Sequence, residues 1–203
     1  MVLPENAEIT IADDATDRYV GRGGIKLAGA LAHTKLDVRG RHCLDVGQST
    51  GGFTDCLLQA GAASVVGVDV GHGQLHAKLR SDPRVTSIEG VNARGLQESA
   101  PVVRHYGLIV GDLSFISLTL VLPQLPALLA PHGDMLLLVK PQFEVGQEHV
   151  GKGGIVRDAS LYPLVEAKLR QAAEAAGVRV VDYFESPIAG TDGNREFFIW
   201  TRK

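Results

Sequence analysis

The chain has 203 residues, 45% hydrophobic and 21% charged, with a formal net charge of −3. That length suits one domain with a full core, and the densest apolar run, MLLLV at 135–139, falls far short of the about 20 residues that span a membrane. The opening MVLPENAEITIADD lacks the basic start and apolar centre of a secretion signal, and Cys43 and Cys56 form no CxxC pair, so a reduced, cytoplasmic protein is expected. A negative total argues against a surface that grips nucleic acid all round. Twelve of the 20 basic residues nevertheless lie in 18–41, 140–157 and 195–203, and a fold that gathered these segments would carry a local basic surface on an acidic body.

In chain order, residues 1–18 are polar, carry five acids and read as a linker or tail, leaving 19–203 as the folded region. GRGGIKLAGALAHTKL predicts a glycine turn followed by a short amphipathic helix. From residue 42 the pattern alternates. Strands are predicted at HCLDV, SVVGVDV, VTSIEG, YGLIVGDL and DMLLLVK, with helix-like segments at 53–60, 73–80 and 116–130. A long periodic helix is predicted over 160–177, and VRVVDYFES and EFFIWTRK close the chain with no helix between them. Alternating strands and helices imply a parallel sheet covered on both faces, and the last two strands most simply pair as an antiparallel hairpin. The expected fold is therefore α/β, doubly wound, with seven mostly parallel strands. Ligands of such sheets sit beyond the carboxyl ends of the strands. Asp45, Asp69, Asp112 and Lys140 fall at or near such ends, and Glu196 starts the last, antiparallel strand, so five polar groups are expected at one edge. His72 and His76 have a spacing that zinc sites use on helices, but Gly71 and Gly73 interrupt a helix there and no third ligand is evident, so no metal is expected.

The stretch CLDVGQSTGGFTDCLL, 43–58, is strand, glycine loop and helix, the arrangement that brings bare backbone amides to a ligand. A nucleoside triphosphate loop would need Lys and then Ser or Thr after the last glycine, where Phe53 and Thr54 stand. A dinucleotide loop would want glycine at position 49, which is Ser, and Asp45 would repel its pyrophosphate. S-adenosylmethionine has no phosphate and carries cationic groups that suit Asp45. Asp69, 24 residues further on, is placed for ribose hydroxyls. The plainer alternatives are a helix-stabilising Asp45 and a turn-forming Asp69.

The blocks YVGRGGIKL, DVGQSTGGFTD, VDVGHGQL, GDLSFISL, LVKPQFE, KGGIVRD and GNREFF, in that order from about residue 18 to the end, resemble those of the TlyA (hemolysin A) family, FtsJ-like ribosomal RNA ribose methyltransferases. The resemblance implies a Rossmann-like fold dependent on S-adenosylmethionine. It also implies a catalytic tetrad at Lys26, Asp112, Lys140 and Glu196. The donor would lie against Asp45, Gly47, Ser49, Thr50, Gly51, Gly52, Phe53, Asp69, Val70, Asn92 and Asp112. Members of that family usually begin with a small RNA-binding domain, which is expected to be missing here, so weak binding of ribosomal RNA or ribosomal subunits is expected from this piece alone.

The segment 141–160 is long for a connection in a compact domain and reads as a functional loop. Lys152 and Arg157, with Arg22, would meet RNA phosphates, and Phe143 would stack on a base. Three other functions compete: a nicotinamide oxidoreductase, a membrane-active protein and an RNA-binding module without catalysis. Ser49 and the lack of a Tyr-xxx-Lys pair count against the first, and the absence of a basic amphipathic helix against the second. The intact tetrad counts against the third.

Overall fold

The structure, a computed structural model, describes residues 18–97 and 105–203. The tail expected over 1–18 lies outside it except for Arg18. Strands β1 (His42–Val46), β2 (Ser64–Asp69), β3 (Val85–Glu89), β4 (Tyr106–Gly111), β5 (Leu129–Val139), β6 (Arg179–Glu185) and β7 (Phe197–Arg202) form one sheet in the order β3-β2-β1-β4-β5-β7-β6. Strands β1 to β5 pair in parallel, and β7 inserts antiparallel between β5 and β6. The expected seven-stranded sheet with its terminal hairpin is what forms.

Successive strand residues point to opposite faces, and both faces are dry. Ile109, Met135, Leu137 and Ile199 pack on one side beneath α4 (Leu161–Ala175). Leu108, Val110, Leu136, Leu138 and Phe198 pack on the other, against α1 (Gly23–Thr34) and α2 (Gly52–Gln59).

Two predicted helices shrink. The segment 73–80 contributes only α3 (Ala77–Arg80), because Gly73 sits at φ +66° and gives its N–H to Glu89 instead of to a helical turn. The segment 116–130 forms two 3-10 turns, Leu118–Leu120 and Leu122–Gln124. Pro123 and Pro126 have no N–H to donate, so a continuous helix there would lose two of its bonds. Leu118, Val121, Leu122 and Leu125 still bury completely or nearly so, which is the apolar periodicity that suggested a helix.

The basic segments do not gather at one edge. Arg41 and Arg202 both bind Asp134, which lies midway along β5 and pairs with Leu108 near the amino end of β4, away from Lys140. Arg39 pairs with Asp37 and Arg195 with Glu185. Buried Asp134, which also accepts from the Trp200 indole at 2.8 Å, draws two of these guanidinium groups away from the carboxyl edge.

Candidate active site

At the carboxyl edge of the parallel strands, β1 runs into the loop Gly47–Gly51. Gly47 has φ +85°, and a Cβ there would stand 2.7 Å from the Asp112 carbonyl oxygen, so the position requires glycine on both counts. Ser49 is also left-handed, at φ +47°, and its N–H donates to Asp69 Oδ2 at 2.8 Å. Asp69 Oδ1 accepts from Gly71 N at 2.7 Å, so this carboxylate at the end of β2 ties the glycine loop to its own turn. Gly52 opens α2 where a Cβ would lie 3.0 Å from Gly24 N, and that close approach brings α1, with Lys26 on it, to the rim.

Asp45 lies beneath this loop. It is fully buried, lines neither cavity at the rim, and accepts from Thr54 Oγ1 at 2.7 Å. Thr54 in turn accepts from Gln48, whose carbonyl oxygen takes the Ser87 hydroxyl. The sequence expectation of Asp45 on the ligand's surface is therefore corrected: its one-residue inset from the strand end turns it into a brace for α2. Burial pushes its carboxyl up to about 7; the Thr54 hydrogen bond opposes this, and the charges of Asp112 and Asp69 add to it.

Two cavities share the wall formed by Gly47, Ser49, Asp112 and Ser114. The larger, about 580 Å³, has an apolar lining of Val46, Val68, Val91, Leu113 and Ile116, with Asp69, Val70 and Asn92 at its side. The smaller, about 200 Å³, is bounded by Gly23, Thr50, Gly52, Phe53 and Lys140. All the expected donor-binding residues except Asp45 and Gly51 thus line one cavity or the other. A Cβ on Gly51 would instead press on the Leu75 and Leu79 side chains beneath the loop. Asn92 Oδ1 caps a 3-10 turn by accepting from Arg94 N.

The four tetrad residues meet here as two ion pairs. Lys140, one residue past β5, places Nζ 2.7 Å from Asp112 Oδ1, and Asp112 follows β4 directly. Lys26 Nζ lies 2.6 Å from Glu196 Oε2, one residue before β7. Burial raises the Glu196 carboxyl above its ordinary range, the Lys26 contact and the Lys140 charge pull it back, and Asp112 adds to the rise. The charges of both pairs are felt at Glu196, so the pairs are neighbours. Four residues from α1 and the ends of three strands converge on one patch, as the sequence led one to expect.

The expected RNA contacts are more scattered. Lys152 and Arg157 are exposed on the loop after β5. Arg22 is exposed too, and its guanidinium reaches the Ala189 carbonyl at 3.3 Å. Phe143 is half-buried, with Phe115 tilted against it at 5.1 Å. Sequence reasoning passed over Phe115, which is 89% exposed, lines the larger cavity and has φ +61°. It also passed over Ser114, whose Oγ accepts from Lys140 at 2.8 Å. Both sit inside the block GDLSFISL, and the signal available was two adjacent side chains, one polar and one aromatic, separated from a strand-end acid by Leu113 alone.

A family model of FtsJ-like methyltransferases matches residues 19–203. The chain belongs to that family. It is 46% identical over 200 residues to the 16S/23S rRNA (cytidine-2′-O)-methyltransferase TlyA of Mycobacterium tuberculosis, covering 98% of this chain and 74% of that one. Hemolysin A of Brachyspira hyodysenteriae is 42% identical over 180 residues, covering 89% of this chain and 75% of its own length. Among solved structures, a Lactococcus lactis protein described as a candidate hemolysin superposes with a TM-score of 0.86 at 44% identity, over 92% of this chain and 89% of that one. The fibrillarin of Aeropyrum pernix, at 17% identity and a TM-score of 0.62, shares the fold. No helix among the described residues is long and apolar enough to cross a membrane.

Proposed function

We propose that this FtsJ-like chain transfers a methyl group from S-adenosylmethionine to a ribose 2′-hydroxyl of ribosomal RNA. The observation that carries the reading is the pairing of Lys140 with Asp112 and of Lys26 with Glu196 beside a donor-sized cavity. The M. tuberculosis relative, named as a 16S/23S rRNA (cytidine-2′-O)-methyltransferase, supports the substrate class, and a ribosomal substrate implies a cytoplasmic setting.

The chemistry of the lining fits a cationic nucleoside. Asp69 and Asp112 both line the larger cavity and the charges of both are felt at Asp45 beneath the loop, which disfavours a pyrophosphate at the glycine loop and favours a cation. Asp69 and Asn92 would hold the ribose and adenine, Val68, Val91 and Leu113 would cover the base, and the loop from Gly47 to Gly52 with Phe53 would hold the amino-acid end. When bound, S-adenosylmethionine supplies an electrophilic methyl carbon on a cationic sulfur.

The side chains of this chain do the rest. Positioning the acceptor oxygen in line supplies much of the rate of such a displacement. Lys140 offers an N–H to that oxygen and stabilises the negative charge that builds on it as the hydroxyl proton passes to solvent water. Asp112 holds Lys140 in place, and Glu196 does the same for Lys26 at the other side of the patch. Phe143 and Phe115 offer ring faces to an unstacked base, and Lys152, Arg157 and Arg22 offer charge to phosphates. Incubating ribosomal subunits, or naked ribosomal RNA, with the protein and labelled donor, then mapping ribose methylation, tests the reading; label appearing only on bases, or on no RNA, contradicts it.

A further inference from the structure

We propose that Ser114 is a positioning residue for Lys140, fixing which of the ammonium hydrogens faces the acceptor oxygen. The inference rests on the methyl-transfer reading above. A lysine ammonium has three N–H donors at tetrahedral angles and rotates freely about its last bond unless acceptors hold it. At Lys140 two acceptors do so: Asp112 Oδ1 at 2.7 Å and Ser114 Oγ at 2.8 Å. Asp112 alone would leave the group free to swivel about that one bond. With Ser114 added, two hydrogens are assigned and the third has a single direction left.

The placement of Ser114 agrees with this use. It stands in the wall common to both cavities, together with Asp112, Gly47 and Ser49, so its hydroxyl lies where a donor and an acceptor would meet. It comes two residues after Asp112 on the loop that leaves β4, and the left-handed Phe115 follows it. The Lys140 side chain is 12% exposed, so little water competes for its hydrogens. Ser114 itself is exposed, and removing its Oγ opens no hole in the core.

The test compares Ser114→Ala, Ser114→Thr and Lys140→Ala in the full chain. Single-turnover transfer to ribosomal RNA gives the rate, its dependence on RNA concentration gives KM, and calorimetry with S-adenosylmethionine gives donor affinity. Ser114→Ala is expected to slow transfer about ten- to a hundredfold, the usual worth of a hydrogen bond to a charged group. RNA KM and donor affinity should stay within about twofold of wild type, and Ser114→Thr, which keeps the hydroxyl, should recover most of the rate. A wild-type rate in Ser114→Ala while Lys140→Ala is inactive overturns the role of Ser114 alone. So does a loss of donor affinity in Ser114→Ala, which would make the hydroxyl part of the donor pocket, and so does an equal loss of rate in Ser114→Thr. A wild-type rate in Lys140→Ala removes the use of Lys140 and with it the role of Ser114 while methyl transfer stands, and the absence of transfer by the wild-type chain contradicts the methyl-transfer reading itself.

Discussion

Lys26 and Glu196 meet at 2.6 Å with side chains only 9% and 3% exposed, an ion pair that joins the first helix of the fold to the start of its last central strand. Removing one partner of a buried pair leaves the other charge without compensation, which costs roughly 3–5 kcal/mol. Glu196→Ala is therefore expected to lose stability on that scale in urea unfolding. The double variant Lys26→Met with Glu196→Leu should recover most of that stability and none of the methyl transfer, which separates the fold from the chemistry. Recovery of transfer in the double variant contradicts a catalytic use for the pair.

Asp45 gives the protein a pH dependence of unusual sign. Its carboxyl is raised from 3.8 to about 7, chiefly by burial, so the folded state holds this proton more tightly than the unfolded chain does. Where the folded state binds more protons, stability falls as pH rises. Asp45 should then favour the fold at low pH and withdraw that contribution between 3.8 and about 7. Asp45→Asn, which can still accept from Thr54, is expected to flatten stability against pH in this window. Unfolding midpoints at about pH 5 and about pH 7.5 for both proteins check it, and parallel curves contradict it.

Gly47 carries a requirement that no other residue type meets. An alanine there would combine the left-handed φ of +85° with a Cβ 2.7 Å from the Asp112 carbonyl oxygen. Gly47→Ala should shift the loop away from Asp112 and weaken donor binding by about tenfold or more, a cost of the 1–3 kcal/mol typical of such strain. Calorimetry with S-adenosylmethionine reads this directly. Circular dichroism should show the sheet intact.

Asn194 anchors the loop that carries Lys152 and Arg157. It is 1% exposed, accepts from Val156 N at 2.9 Å, and donates to the Gly154 carbonyl at 2.9 Å and to Asp192 at 2.7 Å. Asn194→Ala leaves the buried Val156 N–H without its partner, at about 1–3 kcal/mol. Faster hydrogen exchange at Val156 is expected, with weaker RNA binding and unchanged donor affinity. Unchanged exchange at Val156 would show that something else holds the loop.

Much of this site was legible in the sequence because strand ends are legible. Apolar runs at period two or fully buried runs stop where the chain reaches the rim, and Asp69, Asp112, Lys140 and Glu196 stand within one residue of such stops. The glycine loop was legible because Gly47 has no substitute. Asp45 misled: a carboxylate beside a glycine loop suggests a ligand, and although the predicted strand HCLDV already runs one residue past it, nothing in one dimension says that Asp45 turns inward and is covered by Thr54. The segment 116–130 misled in another way, since buried leucines at helical spacing look the same whether Pro123 and Pro126 break the helix into 3-10 turns or not. Ser114 and Phe115 left only a weak signal because their contacts are with Lys140 and Phe143, which arrive from a different strand end.

In the proposed reaction the chemistry turns on Lys140, and its replacement gives the most direct measurement. Lys140→Ala should bind S-adenosylmethionine within about twofold of wild type, since Lys140 borders only the smaller cavity and its ammonium is held by Asp112 and Ser114. Its transfer of label to the ribose 2′-oxygen of ribosomal RNA should fall by at least about a thousandfold. Transfer by Lys140→Ala within about tenfold of wild type, with donor binding intact, would contradict the role given to this ammonium.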